Sequence, residues 1–370
     1  MKKLLTLLIL SITVLAGCQQ APPVSESVDV KEDVVKGSQS FSVVLPQEPS
    51  KIRGIRNSQT NSYLDLNRMD QGLLELASEK VSNKLLYRHG QVLSEEEATS
   101  LVSRKMNEDQ YNKELETNEE TLNLGLNPVL EDGQDPKDSK LYISNLIEHD
   151  FVQKKSDGYI VDTIAIGVGI DPTYTYDKNK DPINISDKEL MEYVFKDNAK
   201  KLYAFLSQKE ELENSNILIG FYKQSDSYNK PGKYMAYSYF PSGNDKVNLK
   251  EYTNEYIEFP SSEGEEKNQA LSYSIEKLNS VLFDYYNDFA GISAYGHYID
   301  NNLQEVNIKI ITNLYSSIDA FGFTSFVEQQ VSDLIKVSAD IRVETSLTDG
   351  SPVSLIYIEK GGKKHTYTYY

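Results

Sequence analysis

Residues 159–168 read YIVDTIAIGV, and this stretch decides the fold because its centre, residues 164–166, is apolar without interruption. A short apolar run rich in branched residues is typical of a β-strand that is buried in a sheet. Further along, Ser186 and Glu189 have the spacing of a capping box, so a helix is expected to begin there. The stretch therefore predicts a strand that is followed by a helix.

The same order of elements occurs again towards the C-terminus. The first helix is followed by two strand candidates around a Pro-Gly turn, so that strand, helix and strand pair occupy residues 159–240. A second set with the same order occupies residues 304–359. This order predicts an α+β fold, with helices packed on one face of mainly antiparallel sheets. The recurrence raises the hypothesis of an internal strand–helix–hairpin duplication, although the residues themselves do not repeat.

A smaller α+β segment is expected before these elements. The sequence FSVVL at 41–45 predicts a strand, and a helix is expected to begin near Asn67. Ser94 and Glu97 form another capping box, which predicts a second helix. Residues 107–139 are polar and rich in Asn, Glu, Asp and Gly, so they are interpreted as a linker or long loop.

The first eighteen residues, MKKLLTLLILSITVLAGC, have the layout of a secretory signal. Two lysines precede an apolar run that is too short for a permanent transmembrane helix. The run ends in Leu15, Ala16, Gly17 and Cys18, which is the bacterial lipobox. In that chemistry the Cys18 thiol receives a diacylglyceryl group, and the peptide bond before it is cut. We therefore predict lipidation at Cys18 and cleavage within this tetrad, with no cofactor other than the covalent diacylglycerol.

These features divide the chain into four parts. After the signal come Pro residues, many Ser and charged residues and no sustained period, which predicts a disordered tether. The expected parts are the signal peptide at 1–17, the lipidated cysteine and tether at 18–40, the smaller N-terminal α+β region with its linker at 41–126, and the larger C-terminal domain at 127–370.

Composition limits the partners. The formal net charge of −18 disfavours binding to nucleic acid and to anionic lipid headgroups. The lipid must therefore hold the protein to the membrane, and two acyl chains suffice for stable anchoring. We expect the outer face of the cell membrane as location, and the membrane and lipoprotein-processing enzymes as partners. With its single cysteine lipidated, the folded part has no thiol for disulfides or metal binding.

A search for catalytic motifs finds none, so we predict no catalytic residue, no metal site and no enzyme activity. Residues 177–181 begin like a calcium loop, but Pro182 stands where glycine is needed and Lys188 where the bidentate glutamate belongs. None of the four histidines pairs with another at metal spacing. His297 is expected to be half-buried and hydrogen-bonded rather than a general base.

Four tyrosines in strand-like runs leave two interpretations open. Tyr174, Tyr176, Tyr237 and Tyr239 alternate with small residues. They either form an exposed face that binds sugars or peptides, or pack across strands, and packing is the preferred interpretation.

The chain resembles the CamS-type lipoproteins of Gram-positive bacteria, which are described as sex-pheromone precursors. The stretches that carry this resemblance are spread over most of the mature chain, and each is short. Besides the lipobox they are LLYRHGQVLS at 85–94, LNP at 126–128, TIAIGV at 163–168, FYKQ at 221–224 with Pro231-Gly232, GHYID at 296–300 before Leu303, FVEQQV at 326–331 and DGSP at 349–352.

The resemblance implies a role for the signal itself. In this family a short hydrophobic peptide, cut from the end of the signal, acts as a conjugation pheromone. The matching segment here is Ser11, Ile12, Thr13, Val14, Leu15, Ala16 and Gly17. The resemblance supplies no catalytic residues. The expected function is thus a membrane-anchored, non-enzymatic precursor lipoprotein; the alternatives are an extracellular module that binds a cell-wall sugar or peptide, and a hydrolase with a carboxylate pair.

Overall fold

The computed structural model describes most of the chain downstream of the tether. The described residues are 33–35, 41–60, 63–225, 231–286 and 289–369. The predicted signal peptide and Cys18 lie outside the described residues, and so does the tether apart from residues 33–35.

The described residues form strands and helices in the following order. The strands are β1 (Asp33–Val35), β2 (Ser42–Leu45), β3 (Leu86–His89), β4 (Ile143–Lys155), β5 (Gly158–Ile170), β6 (Thr173–Tyr174), β7 (Ile183–Asn184), β8 (Asn216–Lys223), β9 (Lys233–Phe240), β10 (Leu249–Phe259), β11 (Phe289–Ile299), β12 (Asn302–Thr312), β13 (Asp340–Leu347), β14 (Pro352–Ile358) and β15 (Lys364–Thr368). The helices are α1 (Leu66–Lys80), α2 (Glu95–Val102), α3 (Glu108–Leu115), α4 (Asp187–Glu189), α5 (Lys196–Leu206), α6 (Ser262–Tyr285) and α7 (Ser317–Leu334). A π-helical turn, Leu190–Phe195, joins α4 to α5.

One large sheet organises these elements. Its order is β1-β2-β3-β4-β5-β8-β9-β10-β11-β12-β13-β14-β15, and β6 pairs separately with β7. Between β2 and β15, neighbours are antiparallel except for the parallel pairs β2/β3, β5/β8 and β12/β13. The predicted α+β class with a mainly antiparallel sheet is confirmed.

Both predicted strand–helix–hairpin units are present. In the first, β5 runs parallel to β8, which pairs antiparallel with β9. In the second, β12 runs parallel to β13, which pairs antiparallel with β14. A parallel pair needs a crossover connection, and α5 and α7 supply it. The shared order does not establish a duplication, which stays a hypothesis.

We call the strands up to β9 the first half of the sheet and those from β10 onwards the second half. The central strands of the first half are covered on both faces. Ile164 and Ile166 of β5 pack into the core that includes α2 and α5. Ala165, between them, points to the other face and packs against α1 through Leu73 and Leu76. A strand that is buried on both faces is apolar throughout rather than alternating, which explains the run at 164–166.

The second half of the sheet is covered on one face only, as far as the described residues go. Val306, Ile308 and Ile310 of β12 are buried against α6 and α7, whereas Asn307 and Lys309 between them stay half-buried or exposed. The register places α6 and α7 on the same face as α5. The helices therefore lie on one face as predicted, except that α1 packs on the opposite face of the first half.

Two of the stretches that differ from the sequence-based expectations lie between residues 107 and 155. The expected linker at 107–139 contains α3, which is capped by Asn107 with Gln110 and buries no residue, so hydrophobic periodicity did not reveal it. The strand β4 was not predicted, although its first ten residues are buried. Its polar residues Asn145, Glu148 and Asp150 hide the strand, because their side chains are buried as hydrogen-bonded groups.

The predicted boundary between 41–126 and 127–370 falls inside this sheet. Residues 34–370 form one compact unit, and β3 pairs antiparallel with β4 across the boundary. Whether the two regions are separate domains stays a prediction.

Candidate functional site

The polar side of α1 meets the sheet where its two halves join. The apolar residues Met69, Leu73 and Leu76 of α1 pack on the first half. The polar residues Arg68 and Glu75 reach towards β10 and β11. The apolar contacts of α1 thus cover one face of the first half of the sheet, and they stop where the second half begins.

A hydrogen-bonded cluster fixes this contact. His297 Nε2 donates to Asn254 Oδ1 at 2.9 Å and lies 3.4 Å from Glu75 Oε2. Asn254 Nδ2 also donates to Glu75 Oε2, at 2.6 Å. Burial alone would raise the pKa of Glu75, but hydrogen bonds from His297, Asn254 and Gln71 and the nearby imidazole outweigh it, so the pKa is lowered. The predicted hydrogen-bonded state of His297 is confirmed, and its side chain is buried.

Tyr256 is held between this cluster and α1. Its ring stacks on the His297 imidazole, with 4.4 Å between the ring centroids and 6° between the planes. The Arg68 guanidinium carbon lies 3.9 Å from the same ring centroid. Two groups so close to one ring must occupy opposite faces, so both faces of Tyr256 are covered.

A cleft opens beside Tyr256 because β10 leaves β9. The β9–β10 ladder ends where Asn254 pairs with Tyr234, whereas β10 continues to Phe259 alongside β11. Between the ends of β8 and β9 on one side and residues 255–258 of β10 on the other lies a cavity of about 370 Å³. We call it the seam cleft.

The seam cleft is lined by residues from both halves of the sheet and by the start of α6. Its charged and aromatic lining residues include Lys223, Lys233, Glu255, Tyr256, Glu258 and Glu263.

The charges in the seam cleft leave an acidic excess. Lys223 Nζ donates to Asp187 Oδ1. Glu255 pairs with Lys267 at 2.7 Å and with Lys233 at 3.5 Å. In the part of the chain that the structure describes, the exposed carboxylates of Glu258 and Glu263 have no basic partner. A ligand that carries positive charge is therefore favoured here.

A second cavity of about 310 Å³ lies on the open face of the second half, beside α1. We call it the open-face groove. Arg68, Glu305 and Asn307 are among its lining residues. Tyr256 and Tyr295 line both this groove and the seam cleft, so the two cavities meet at these two tyrosines.

The tyrosines that the sequence suggested lie elsewhere. Tyr174 is buried and receives a hydrogen bond from Arg104, and Tyr176 packs against it. Tyr237 is buried edge-on against Tyr252. These contacts confirm the preferred interpretation of packing for Tyr174, Tyr176 and Tyr237, and Tyr239 is partly buried against the α1 core. The tyrosines of the cavities went unnoticed because β10 itself was not predicted, although apolar Ile257 and Phe259 alternate with polar residues along it.

A buried carboxyl pair outside both cavities holds the loop after β3. Glu148 accepts from the amides of Val92 at 2.7 Å and Leu93 at 3.0 Å. Asp150 accepts from Arg88 Nη2 at 2.8 Å. Burial, and next the neighbouring Asp150 carboxylate, raise the pKa of Glu148 well above its ordinary value. The pair thus connects β4 to residues 85–94, one of the stretches that carries the family resemblance.

Two general features of the described residues bear on the earlier expectations. None of their helices combines the length and apolar character that a bilayer crossing needs. Nor do three or more His, Cys, Asp or Glu side chains among them converge as a metal ion would require. In the loop at 177–181, Asp177 Oδ1 accepts from the amide of Asn179.

Comparisons with known proteins agree on the fold. The C-terminal domain of the sex pheromone staph-cAM373 precursor from Staphylococcus aureus is 22% identical, with a TM-score of 0.69, and the match covers 82% of this chain and 96% of that one. The sex pheromone precursor from Lactobacillus salivarius is 21% identical, with a TM-score of 0.77, and the match covers 92% and 99%. No curated protein matches the chain.

A family model gives the assignment. The model described as CamS sex pheromone cAM373 precursor matches residues 48–364, which is most of the chain. The chain therefore belongs to the CamS family of sex pheromone cAM373 precursors.

Proposed function

We propose that the protein is a lipoprotein anchored to the outer face of the cell membrane through a diacylglyceryl group on Cys18. The observation that carries this proposal is the lipobox at 15–18 at the end of an apolar signal, in a chain of the CamS family. Two acyl chains bury enough methylene groups for stable anchoring, which an acidic protein surface cannot provide by itself.

The cleaved signal peptide is the second product in this proposal. Cleavage before Cys18 leaves a peptide that ends in Gly17, and a further cut inside the apolar run releases residues 11–17, SITVLAG. This heptapeptide is uncharged in its side chains and mostly apolar, as expected of a peptide that leaves the membrane slowly and binds an apolar pocket. Its proposed role is that of a conjugation pheromone.

Mass spectrometry of producing cells tests both parts. The membrane fraction should contain the mature chain with a modified Cys18 at its N-terminus, and the medium should contain a fragment that ends at Gly17. Cys18→Ser should abolish both, whereas Ser25→Ala in the tether should change neither. A membrane-bound wild-type chain whose Cys18 is unmodified would overturn the anchor. Medium without any fragment ending at Gly17 would overturn the peptide.

A second function is proposed for the folded part, which acts by binding rather than by catalysis. The supporting observation is that the seam cleft and the open-face groove meet at Tyr256 and Tyr295. The buried carboxyl pair, by contrast, lies away from both cavities, and amides and Arg88 engage both oxygens of Glu148 and one oxygen of Asp150, which favours a binding module over a hydrolase.

Thermal unfolding of the detergent-solubilised mature chain tests the binding module. Soluble cell-wall sugars and peptides are added, and a bound ligand should raise the melting temperature. The shift should disappear in Tyr295→Ala and persist in Tyr273→Ala, an exposed tyrosine outside both cavities. A shift that survives Tyr295→Ala would place the binding elsewhere.

A further inference from the structure

The seam cleft differs from an ordinary polar cavity because the free edge of strand β10 lines it. The main-chain N–H of Thr253 donates to Asp300 Oδ1, and its C=O accepts from the Asp300 amide. Asp300 directly follows β11, so the main-chain groups of Thr253 point towards β11. Main-chain groups of alternate residues in an antiparallel strand point to opposite neighbours. Those of Tyr256 and Glu258 therefore point away from β11 and into the seam cleft.

Beyond Asn254 no strand of the described residues lies beside these groups. The β9–β10 ladder ends at that residue, and among the described residues β11 is the only strand that pairs with residues 255–259. The C=O of Glu258 accepts from Ser261 Oγ at 2.7 Å. The N–H and C=O of Tyr256 and the N–H of Glu258 have no hydrogen-bond partner among the described residues, which leaves one acceptor and two donors at strand spacing.

Side chains on both faces of β10 confirm that the cleft follows this edge. Glu255 and Ile257 point to the α6 face of the sheet, whereas Tyr256 and Glu258 point to the α1 face, and all four line the cavity. A cavity that touches both faces of a strand runs along its edge. The five residues 255–259 span roughly 17 Å, which suits an extended segment of similar length.

We propose that the seam cleft binds an extended peptide segment with a basic side chain, which adds as a strand to the free edge of β10. This proposal rests on the binding-module function proposed above and gives it a ligand class. The main chain of the peptide bonds to Tyr256 and Glu258, as in other cases of strand addition. Its Lys or Arg side chain is neutralised by Glu258 and Glu263, the two cleft carboxylates that have no basic partner among the described residues.

The site favours a peptide over a sugar for a geometric reason. Sugars bind proteins largely by stacking on aromatic ring faces, and both faces of Tyr256 are covered by Arg68 and His297. What β10 offers to the cleft is a row of main-chain groups and carboxylates. Main-chain hydrogen bonds provide affinity for any extended sequence, and the acidic rim provides the preference for basic ones.

The experiment pans a phage-displayed random heptapeptide library against the detergent-solubilised mature chain. Enriched peptides are synthesised, and their Kd is measured by fluorescence anisotropy. We expect the enriched peptides to be basic. Methylation of those peptide main-chain nitrogens that face β10 should weaken binding at least 10-fold, whereas methylation of the alternate nitrogens on the opposite edge of the peptide should not. Glu258→Gln should weaken binding about 10-fold at low salt, because it removes charge and keeps the N–H.

Matched variants separate the site from general charge and from misfolding. Glu266→Gln removes one charge from α6 outside the cleft and should leave Kd unchanged. Glu258→Pro removes the N–H as well and should weaken binding further than Glu258→Gln, with the melting temperature measured alongside. The proposal would be overturned if the Kd of the enriched peptides changed neither with the two Glu258 variants nor with N-methylation of either peptide edge.

The remaining outcomes distinguish the ligand class from the function. A library without enriched peptides overturns the proposed ligand class. If an oligomer of N-acetylglucosamine, added as a separate probe, then raises the melting temperature of the wild type but not of Tyr295→Ala, the binding module stands with a sugar ligand. If neither probe binds, the binding-module function fails together with its ligand class.

Discussion

The two halves of the sheet differ in whether helices cover both of their faces or only one. Strands β4 and β5 are covered by α1 on one face and by α2 and α5 on the other, and their central residues are buried on both sides. Strands β12 and β13 are covered by α6 and α7 on one face, and the other face carries polar residues such as Asn307 and Arg342. The uncovered face is available to a ligand, whereas the covered face is available only to the core.

The difference locates the site. The apolar contacts of α1 stop at β10, and polar residues of the helix follow there. Arg68 lines the open-face groove, and Glu75 belongs to the hydrogen-bonded cluster beside it. The ladder between β9 and β10 ends at the same place, which opens the seam cleft. The candidate site therefore lies where the halves meet, and neither half forms it alone.

The largest effect is expected from a charge placed under α1. Ala165→Asp buries an unpaired carboxylate between β5 and α1, so we expect the free energy of unfolding to fall by more than about 4 kcal/mol. Asn307→Asp adds the same group to the open face and should change the free energy of unfolding by less than about 0.5 kcal/mol. Urea denaturation measures both, and equal losses would contradict the difference between the halves.

A cavity under α1 should have a smaller effect, confined to one half. Leu73→Ala removes a fully buried side chain and should cost about 2–5 kcal/mol. Amide exchange should quicken in β4 and β5 and stay slow in β12 and β13. Ser78→Ala, on the exposed side of the same helix, is the control and should be nearly neutral. Faster exchange throughout the sheet would show that the halves unfold as one unit.

The carboxyl pair predicts a pH dependence that belongs to the first half. The folded-state pKa of Glu148 is raised above its ordinary 4.5, so the stability it contributes is present below pH 4.5 and is lost as pH rises through the folded-state value. Glu148→Gln removes this part of the slope and costs about 1–3 kcal/mol, since one amide loses its acceptor. Urea titrations between pH 4 and 8 measure both. An unchanged slope in Glu148→Gln, with Glu210→Gln as surface control, would refute the raised pKa.

The cluster at the seam predicts the opposite sign and the smallest effect. The folded-state pKa of Glu75 is lowered, so its contribution is present above the ordinary value of 4.5 and is lost as pH falls through the lower folded-state value. Glu75→Gln should cost about 1 kcal/mol at pH 7 and make the loss of stability in acid shallower. Glu79→Gln changes the same helix by the same charge and should keep the acid slope. Identical acid slopes in the two variants would refute the role of the cluster.

Local patterns in the sequence predicted the elements of both halves better than their arrangement. The apolar run at 164–166 and the capping boxes at Ser94 and Ser186 correspond to β5, α2 and the start of α4. The place of α1 on the opposite face depends on contacts between residues far apart in the chain, so no local period reports it. The same holds for the seam cleft, because the end of a ladder is a property of two strands.

Two of the strands that escaped prediction, β4 and β10, build the site and its support. β4 mixes buried apolar residues with buried Glu148 and Asp150, so its pattern resembles a polar segment until their partners are known. β10 follows a period of two, but the tyrosines on its α1 face are not distinguishable by sequence from tyrosines that merely pack. Only the register shows that Tyr256 lies past the last β9 partner.

Amide hydrogen exchange along β10 tests the central claim most directly, because it requires no ligand. Resolved residue by residue in the ligand-free mature chain, the amides of Glu255 and Ile257, which face β11, should be protected. Those of Tyr256 and Glu258, which face the seam cleft, should exchange at least about 100-fold faster. Equal protection of all four amides would show that the edge of β10 is already paired, and would contradict the account.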